Sequence, residues 1–271
     1  MPFVGNGNHQ VHYGRLGDPA APPLLLVMGL GLSSHAWEAL PAKLATRFHV
    51  LIFDHRGTGR SGPARRPCSM IELASDARAV LDAASVQKAC VFGISMGGMV
   101  AQELALQHPE RVSSLALGAT FASFAGSEKL SLAALLDLLL LNCGARFATA
   151  DRVGRLLVSA PFRDRALAWL RADAGQARTP WPVLAQLAAI VRHGPAERLR
   201  RLRAPTLVLA GDADRVIPVE NAYRLAALIP GARLRVLRGA GHVFPIERED
   251  ETVEALTEHF LGAGQPGLRA G

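Results

Sequence analysis

The sequence predicts an α/β protein, a mostly parallel, doubly wound sheet with an inserted helical cap. Three observations carry this. Short, continuous apolar runs alternate with longer stretches of helical period, as expected when helices cover both faces of a parallel sheet. One interval, residues 121–203, has helical pattern and no convincing strand, although a simple crossover needs only about a dozen residues. Finally, 49% of the 271 residues are hydrophobic and 20% charged, which suits one sizeable core and excludes the composition of a disordered chain.

The expected strands, in order, are two weak N-terminal ones near Phe3–Val4 and Gln10–Leu16, then Leu24–Met28, Val50–Phe53, Ala89–Gly93, Ser114–Leu117, Thr206–Ala210 and Leu234–Leu237. Helical period runs over Ala36–Thr46, Ser69–Ala84, Met96–His108, Val219–Leu228 and Glu247–Leu261, several of these ended by Pro or Gly. Residues 1–120 and 204–271 therefore form the expected core, with 121–203 as the cap. The Gly-rich end, Gly262–Gly271, is expected to fray.

Thirty Lys and Arg against 23 Asp and Glu give a net charge of +7, which raises the question of an anionic partner. The charges are scattered. The one dense run, Arg198, Arg200, Arg201 and Arg203, has no interleaved aromatics, so nucleic-acid binding is not expected. Cys68, Cys90 and Cys143 are an odd count without Cys-x-x-Cys spacing, which argues against a disulfide framework or zinc site and for a reducing, cytoplasmic setting. Met1–Gly14 lacks an apolar secretory core, and Leu130–Cys143 is interrupted by Asp137 and Asn142; a bilayer span takes about 20 apolar residues.

The strongest chemical signal is Gly93-Ile94-Ser95-Met96-Gly97-Gly98, a G-x-S-x-G sequence between an apolar strand and a helical run. Small residues allow a sharp strand-to-helix turn that pushes the Ser95 hydroxyl outward, while the N–H of Met96 sits at a helix N-terminus, suited to an oxyanion. A serine needs a base, and the base a carboxylate. His242 follows the last strand in Gly239-Ala240-Gly241-His242, and Asp214 follows the preceding strand in Gly211-Asp212-Ala213-Asp214. Both loops fall at the strand ends where open α/β sheets place their sites. Either carboxylate suits a turn or N-cap, the role favoured for Asp212; Asp214 is preferred because the loop that follows it, ended by Pro218, resembles the acid loop of hydrolases with a G-x-S-x-G turn. The other histidines have no metal-ligand spacing, so no metal is expected.

These residues resemble those of the α/β-hydrolase superfamily over nearly the whole chain. Its D-x-R-G-x-G-x-S loop appears as Asp54-His55-Arg56-Gly57-Thr58-Gly59-Arg60-Ser61. The stretch Gly93–Leu117 is similar to 3-oxoadipate enol-lactonase-like esterases. Where many members have His-Gly, this chain has Met28-Gly29-Leu30-Gly31, as in aclacinomycin methylesterase-like enzymes.

The resemblance implies an α/β-hydrolase fold and a cofactor-independent serine esterase or lactonase acting on a small molecule. Ser95, His242 and Asp214 would be its triad, and the N–H groups of Leu30 and Met96 its oxyanion hole. It also implies a pocket lined by Met28, Leu30, Trp37, Met96 and Phe244, although Trp37 and Met96 equally fit ordinary core. Carbon–carbon bond hydrolysis, cofactor-free haloperoxidase or perhydrolase chemistry, thioester cleavage and a triad-retaining small-molecule receptor remain alternatives. The apolar run Leu130–Leu141 either is buried among other cap helices or leaves a face for a ligand or a second subunit, which keeps a homo-oligomer open.

Overall fold

The computed structural model describes residues 2–64, 66–128, 154–166, 168 and 180–262. Its sheet has eight strands: β1 (Phe3–Asn6), β2 (His9–Leu16), β3 (Pro23–Val27), β4 (His49–Phe53), β5 (Ala89–Ile94), β6 (Val112–Gly118), β7 (Thr206–Gly211) and β8 (Arg233–Leu237). Their order is β1-β2-β4-β3-β5-β6-β7-β8. β2 pairs antiparallel with β1 and β4, and every pairing from β4 to β8 is parallel.

Helices among the described residues include α1 (Leu40–Leu44), α2 (Met70–Ala83), α3 (Met96–Gln107), α4 (Pro180–Arg192), α5 (Ala196–Leu199), α6 (Glu220–Leu228), α7 (Phe244–Glu247) and α8 (Glu249–Gly262). Strand residues alternate between two apolar layers, as a period of two dictates. Leu25, Val27, Val91, Leu115, Leu117, Val208 and Ala210 pack with α2, α3 and α6. Leu24, Leu26, Cys90, Phe92, Ala116, Leu207 and Leu209 pack with α1 and α8. α3 crosses the sheet centre and is buried from Met96 to Ala105, which explains its nearly continuous apolar sequence. α2 begins with a capping box, in which Glu72 N–H donates to Ser69 Oγ and Ser69 N–H to the Glu72 carboxylate.

Two expected helices are divided. Ala36–Thr46 becomes a 3-10 turn at Ser34–Trp37 followed by α1. Pro41 lacks the N–H an interior position needs, so it sits in the first turn of a new helix. Likewise the expected Glu247–Leu261 helix is preceded by the short α7, which has Pro245 in its first turn, and α8 starts afresh at Glu249 beyond the non-helical Arg248.

The described parts of 121–203 are helical or irregular. The Leu130–Leu141 run lies outside the described residues. Among the described residues, no helix is long and apolar enough to cross a membrane.

The connections from β3 and β5 leave in opposite directions along the sheet, since β3 leads to β4 on one side and β5 to β6 on the other. β3 and β5 therefore flank the switch point of the sheet, the place where open α/β sheets bind their ligands. The segments following β3, β5, β7 and β8 are the ones that carry Leu30, Ser95, Asp214 and His242.

Candidate active site

Ser95 occupies one residue between β5 and α3 with φ 55° and ψ −123°. A positive φ is rare for a residue with a β-carbon and costs about 1–3 kcal/mol. The surroundings impose it: Ser95 N–H donates to Gly118 O at 2.8 Å, and Ser95 O accepts from Gly98 N–H at 2.9 Å. A β-carbon on Gly97 would collide with the carbonyl oxygens of Val27 and Met28, so the turn can lie against the end of β3 because this residue is glycine. Met96 opens the helix, where its N–H has no intrahelical acceptor.

The segment after β3 runs beside the serine. A β-carbon built on Gly29 would stand 3.4 Å from Ser95 Cβ and 3.8 Å from its hydroxyl oxygen. This loop is held at two points. His55 Nε2 donates to Met28 O at 2.9 Å, and Gly31 N–H donates to Gln186 Oε1 at 2.9 Å. His55 is fully buried, which pulls its pKa below the usual imidazole value; the neutral ring with Nε2 protonated suits that bond. Gln186 comes from α4, and its amide also donates to Arg56 O at 3.4 Å. Half-buried Leu30 lies between the two anchors.

His242 and Asp214 meet, with 2.8 Å between Nδ1 and Oδ2. Both are buried. Asp214 Oδ1 accepts from the N–H groups of Val216 and Ile217 at 2.7 and 2.8 Å, which aims Oδ2 at the imidazole. A ring that donates from Nδ1 keeps Nε2 as an acceptor. Asp212 is exposed and takes a separate bond, from Gly239 N–H at 2.6 Å.

The other residues singled out from sequence are buried. Trp37 packs its ring on Phe92 at 5.5 Å between centroids, while Met28 and Phe244 belong to the same apolar layer. Met96 lies in the opposite layer. Phe244 also reaches Gly118, the residue whose carbonyl holds Ser95: a β-carbon there would lie 2.9 Å from Phe244 Cζ. His55 and Gln186, which anchor the loop after β3, have no sequence signal of that role, because their partners are set by how distant elements pack. In the dense basic run, Arg198 forms two hydrogen bonds to the buried Glu103 carboxylate and Arg200 pairs with Glu197.

Comparison with known proteins places the chain in a family. A family model described as the alpha/beta hydrolase fold matches residues 22–249. The chain is 32% identical over 260 residues to a putative carbamate hydrolase, RutD, of Azorhizobium caulinodans, covering 94% of this chain and 97% of that protein. It is 32% identical over 283 residues to rhodomycin D methylesterase DauP of a Streptomyces species, covering 92% and 94%. Among solved structures, Est816, described as an N-acyl homoserine lactone degrading enzyme, aligns with a TM-score of 0.81 at 31% identity, covering 94% of this chain and 98% of that one. The chain is a hydrolase and belongs to the α/β-hydrolase family.

Proposed function

We propose that the protein hydrolyses a small carboxylic ester or lactone through Ser95, His242 and Asp214. The observation that carries this reading is the 2.8 Å bond between His242 Nδ1 and Asp214 Oδ2 at the sheet edge that also bears the strained Ser95 turn. His242 Nε2 takes the Ser95 proton as Oγ attacks the carbonyl carbon, and the N–H groups of Leu30 and Met96 receive the oxyanion. As the tetrahedral intermediate collapses, the imidazolium protonates the leaving alkoxide. Water, deprotonated by the same imidazole, then cleaves the acyl-enzyme and restores Ser95. Asp214 holds the tautomer and stabilises the cation. The lactone-degrading and methylesterase relatives support this substrate class.

We read 121–203 as a cap over this edge, since Gln186 from that stretch reaches Gly31. Met28, Leu30, Trp37, Met96 and Phe244 border the acyl pocket in this reading. Buried Cys68 and Cys90, free thiols whose pKa values burial raises, fit a cytoplasmic setting.

The test is Ser95→Ala assayed on methyl esters, lactones and carbamates, with fluorophosphonate labelling alongside. Turnover should fall by about 10⁴- to 10⁶-fold and labelling should vanish in a folded variant. A folded variant that retains labelling would overturn the assignment. Parent turnover of carbamates alone would move the substrate class towards that of the carbamate hydrolase relative.

A further inference from the structure

Glu247 ends α7, five positions after His242, and its carboxylate is buried. It accepts hydrogen bonds from two separate parts of the chain. Oε1 takes Gly241 N–H at 2.9 Å; Oε2 takes Ser159 N–H at 3.1 Å and Ser159 Oγ–H at 2.5 Å. Gly241 immediately precedes His242. A β-carbon at Gly241 would lie 2.7 Å from Glu247 Oε1, so the backbone approaches the carboxylate as closely as a glycine permits. On the other side of His242, Val243 N–H donates to Leu157 O at 3.1 Å. The residues flanking His242 are thus both tied, one through Glu247 and one directly, to the segment 157–159 of the long interval between β6 and β7.

This arrangement suits an acceptor-only group. An ionised carboxylate presents lone pairs on both oxygens, so one side chain can serve backbone donors in two directions. A glutamine of the same size cannot. Its amide nitrogen would face either Gly241 N–H or Ser159 N–H, donor against donor; on the Ser159 side the hydroxyl oxygen could turn to accept, but one backbone N–H loses its acceptor in either orientation.

We propose that Glu247 is a positioning residue that fixes the backbone of His242 against Ser159, so that seating of the 157–159 segment sets the reach of the imidazole towards Ser95. The inference rests on the serine-hydrolase reading above. It adds a physical link between the cap interval and the base, and it assigns Glu247 no contact with substrate. Because catalysis tolerates little misplacement, with shifts of about 1 Å costing up to roughly 10²-fold, the effect belongs in turnover rather than in ground-state binding.

The experiment compares the parent with Glu247→Gln, Ser159→Ala, Asp214→Asn and the Glu247→Gln/Asp214→Asn double variant. It measures kcat and KM on one small ester, the rate of fluorophosphonate labelling, and thermal unfolding to establish that each variant is folded. Glu247→Gln should lower kcat and the labelling rate by about 10- to 100-fold with KM within about twofold. Ser159→Ala, which leaves the Gly241 tie intact, should lower both by a few-fold. The double variant should be little slower than Asp214→Asn alone, since both changes act through His242.

Labelling of folded Glu247→Gln at the parental rate would overturn the proposal, as would losses that simply multiply in the double variant. If Glu247→Gln does not fold, parental kcat and labelling in Ser159→Ala would overturn it. A parent that is never labelled would instead refute the serine-hydrolase reading, and this inference with it.

Discussion

Two loops at the same sheet edge are each built around a buried aspartate, and they use it differently. In the loop after β4, Asp54 Oδ1 accepts from Ser34 N–H at 2.6 Å and Oδ2 from Arg60 N–H at 3.0 Å, with His12 Nδ1 at 3.3 Å. In the loop after β7, Asp214 gives both backbone bonds to Oδ1 and leaves Oδ2 to His242. The first carboxylate spends both oxygens on backbone donors, one in the segment after β3 and one in its own loop. The second secures itself with one oxygen and presents the other to an imidazole. Residue type and burial therefore do not separate a scaffolding acid from one equipped to orient a base; the distribution of backbone donors over its two oxygens does.

The same contrast separates two buried histidines. His242 has a carboxylate oxygen to itself. His193 donates from Nε2 to Gln102 Oε1 at 3.2 Å, and its Nδ1 stands 4.0 Å from Glu103 Oε1, a carboxylate already clasped by Arg198. Burial, and then the Arg198 charge, push the His193 pKa down to about 3. It is a histidine kept neutral by its surroundings.

Replacing each acid in turn tests the comparison, and Asp214→Asn should have the largest effect. It should reduce kcat by about 10³- to 10⁴-fold, because the amide favours the wrong imidazole tautomer, while the unfolding midpoint stays near the parental value. Asp54→Asn should show the reverse. One of its two backbone donors loses its acceptor in a buried site, costing about 1–3 kcal/mol of stability, and kcat per folded molecule should remain within about tenfold of the parent. Steady-state kinetics and urea unfolding on both variants decide it; a folded Asp54→Asn as inactive as Asp214→Asn would erase the distinction.

The pH dependence of stability probes the histidine pair. Unfolded His193 binds a proton below about 6.5, whereas the folded residue resists protonation until about 3. The unfolded state thus holds more protons between these values, so this contribution is complete above about 6.5 and is lost as pH falls through the window. His193→Gln, which retains a donor for Gln102, should flatten the fall of the unfolding midpoint between pH 7 and 4, a range chosen to lie on the order of the imidazole titration. Identical slopes in parent and variant would show that His193 contributes nothing to acid sensitivity. The smallest effect belongs to Asp212→Asn. That side chain is exposed and bonded to Gly239 N–H, so kcat should change by less than about threefold; a loss rivalling that of Asp214→Asn would reassign the acid.

The sequence carried the features that depend on neighbours along the chain. Continuous apolar runs identified the strands because a parallel sheet is covered on both faces, and Gly93 and Gly97 marked the Ser95 turn because backbone crowding there excludes side chains. Asp214 and His242 were legible because parallel strands deliver their following loops to a common edge. Even so, the choice of Asp214 over Asp212 became geometry only when two backbone N–H groups turned its free oxygen towards His242.

The remainder was settled by packing. Gln186 meets Gly31 across 155 positions, and Ser159 meets Glu247 across 88. The periodicity that predicts a helix says which face is apolar. It does not say which polar side chain will stand opposite a given loop, because that depends on how far each helix slides and rotates on the sheet. Sequence by itself thus determined the layered fold and the residues brought to one edge of its sheet. The tertiary structure decided which oxygen, which N–H and which distant side chain face one another there, because a hydrogen bond requires matched position and direction that no local pattern encodes.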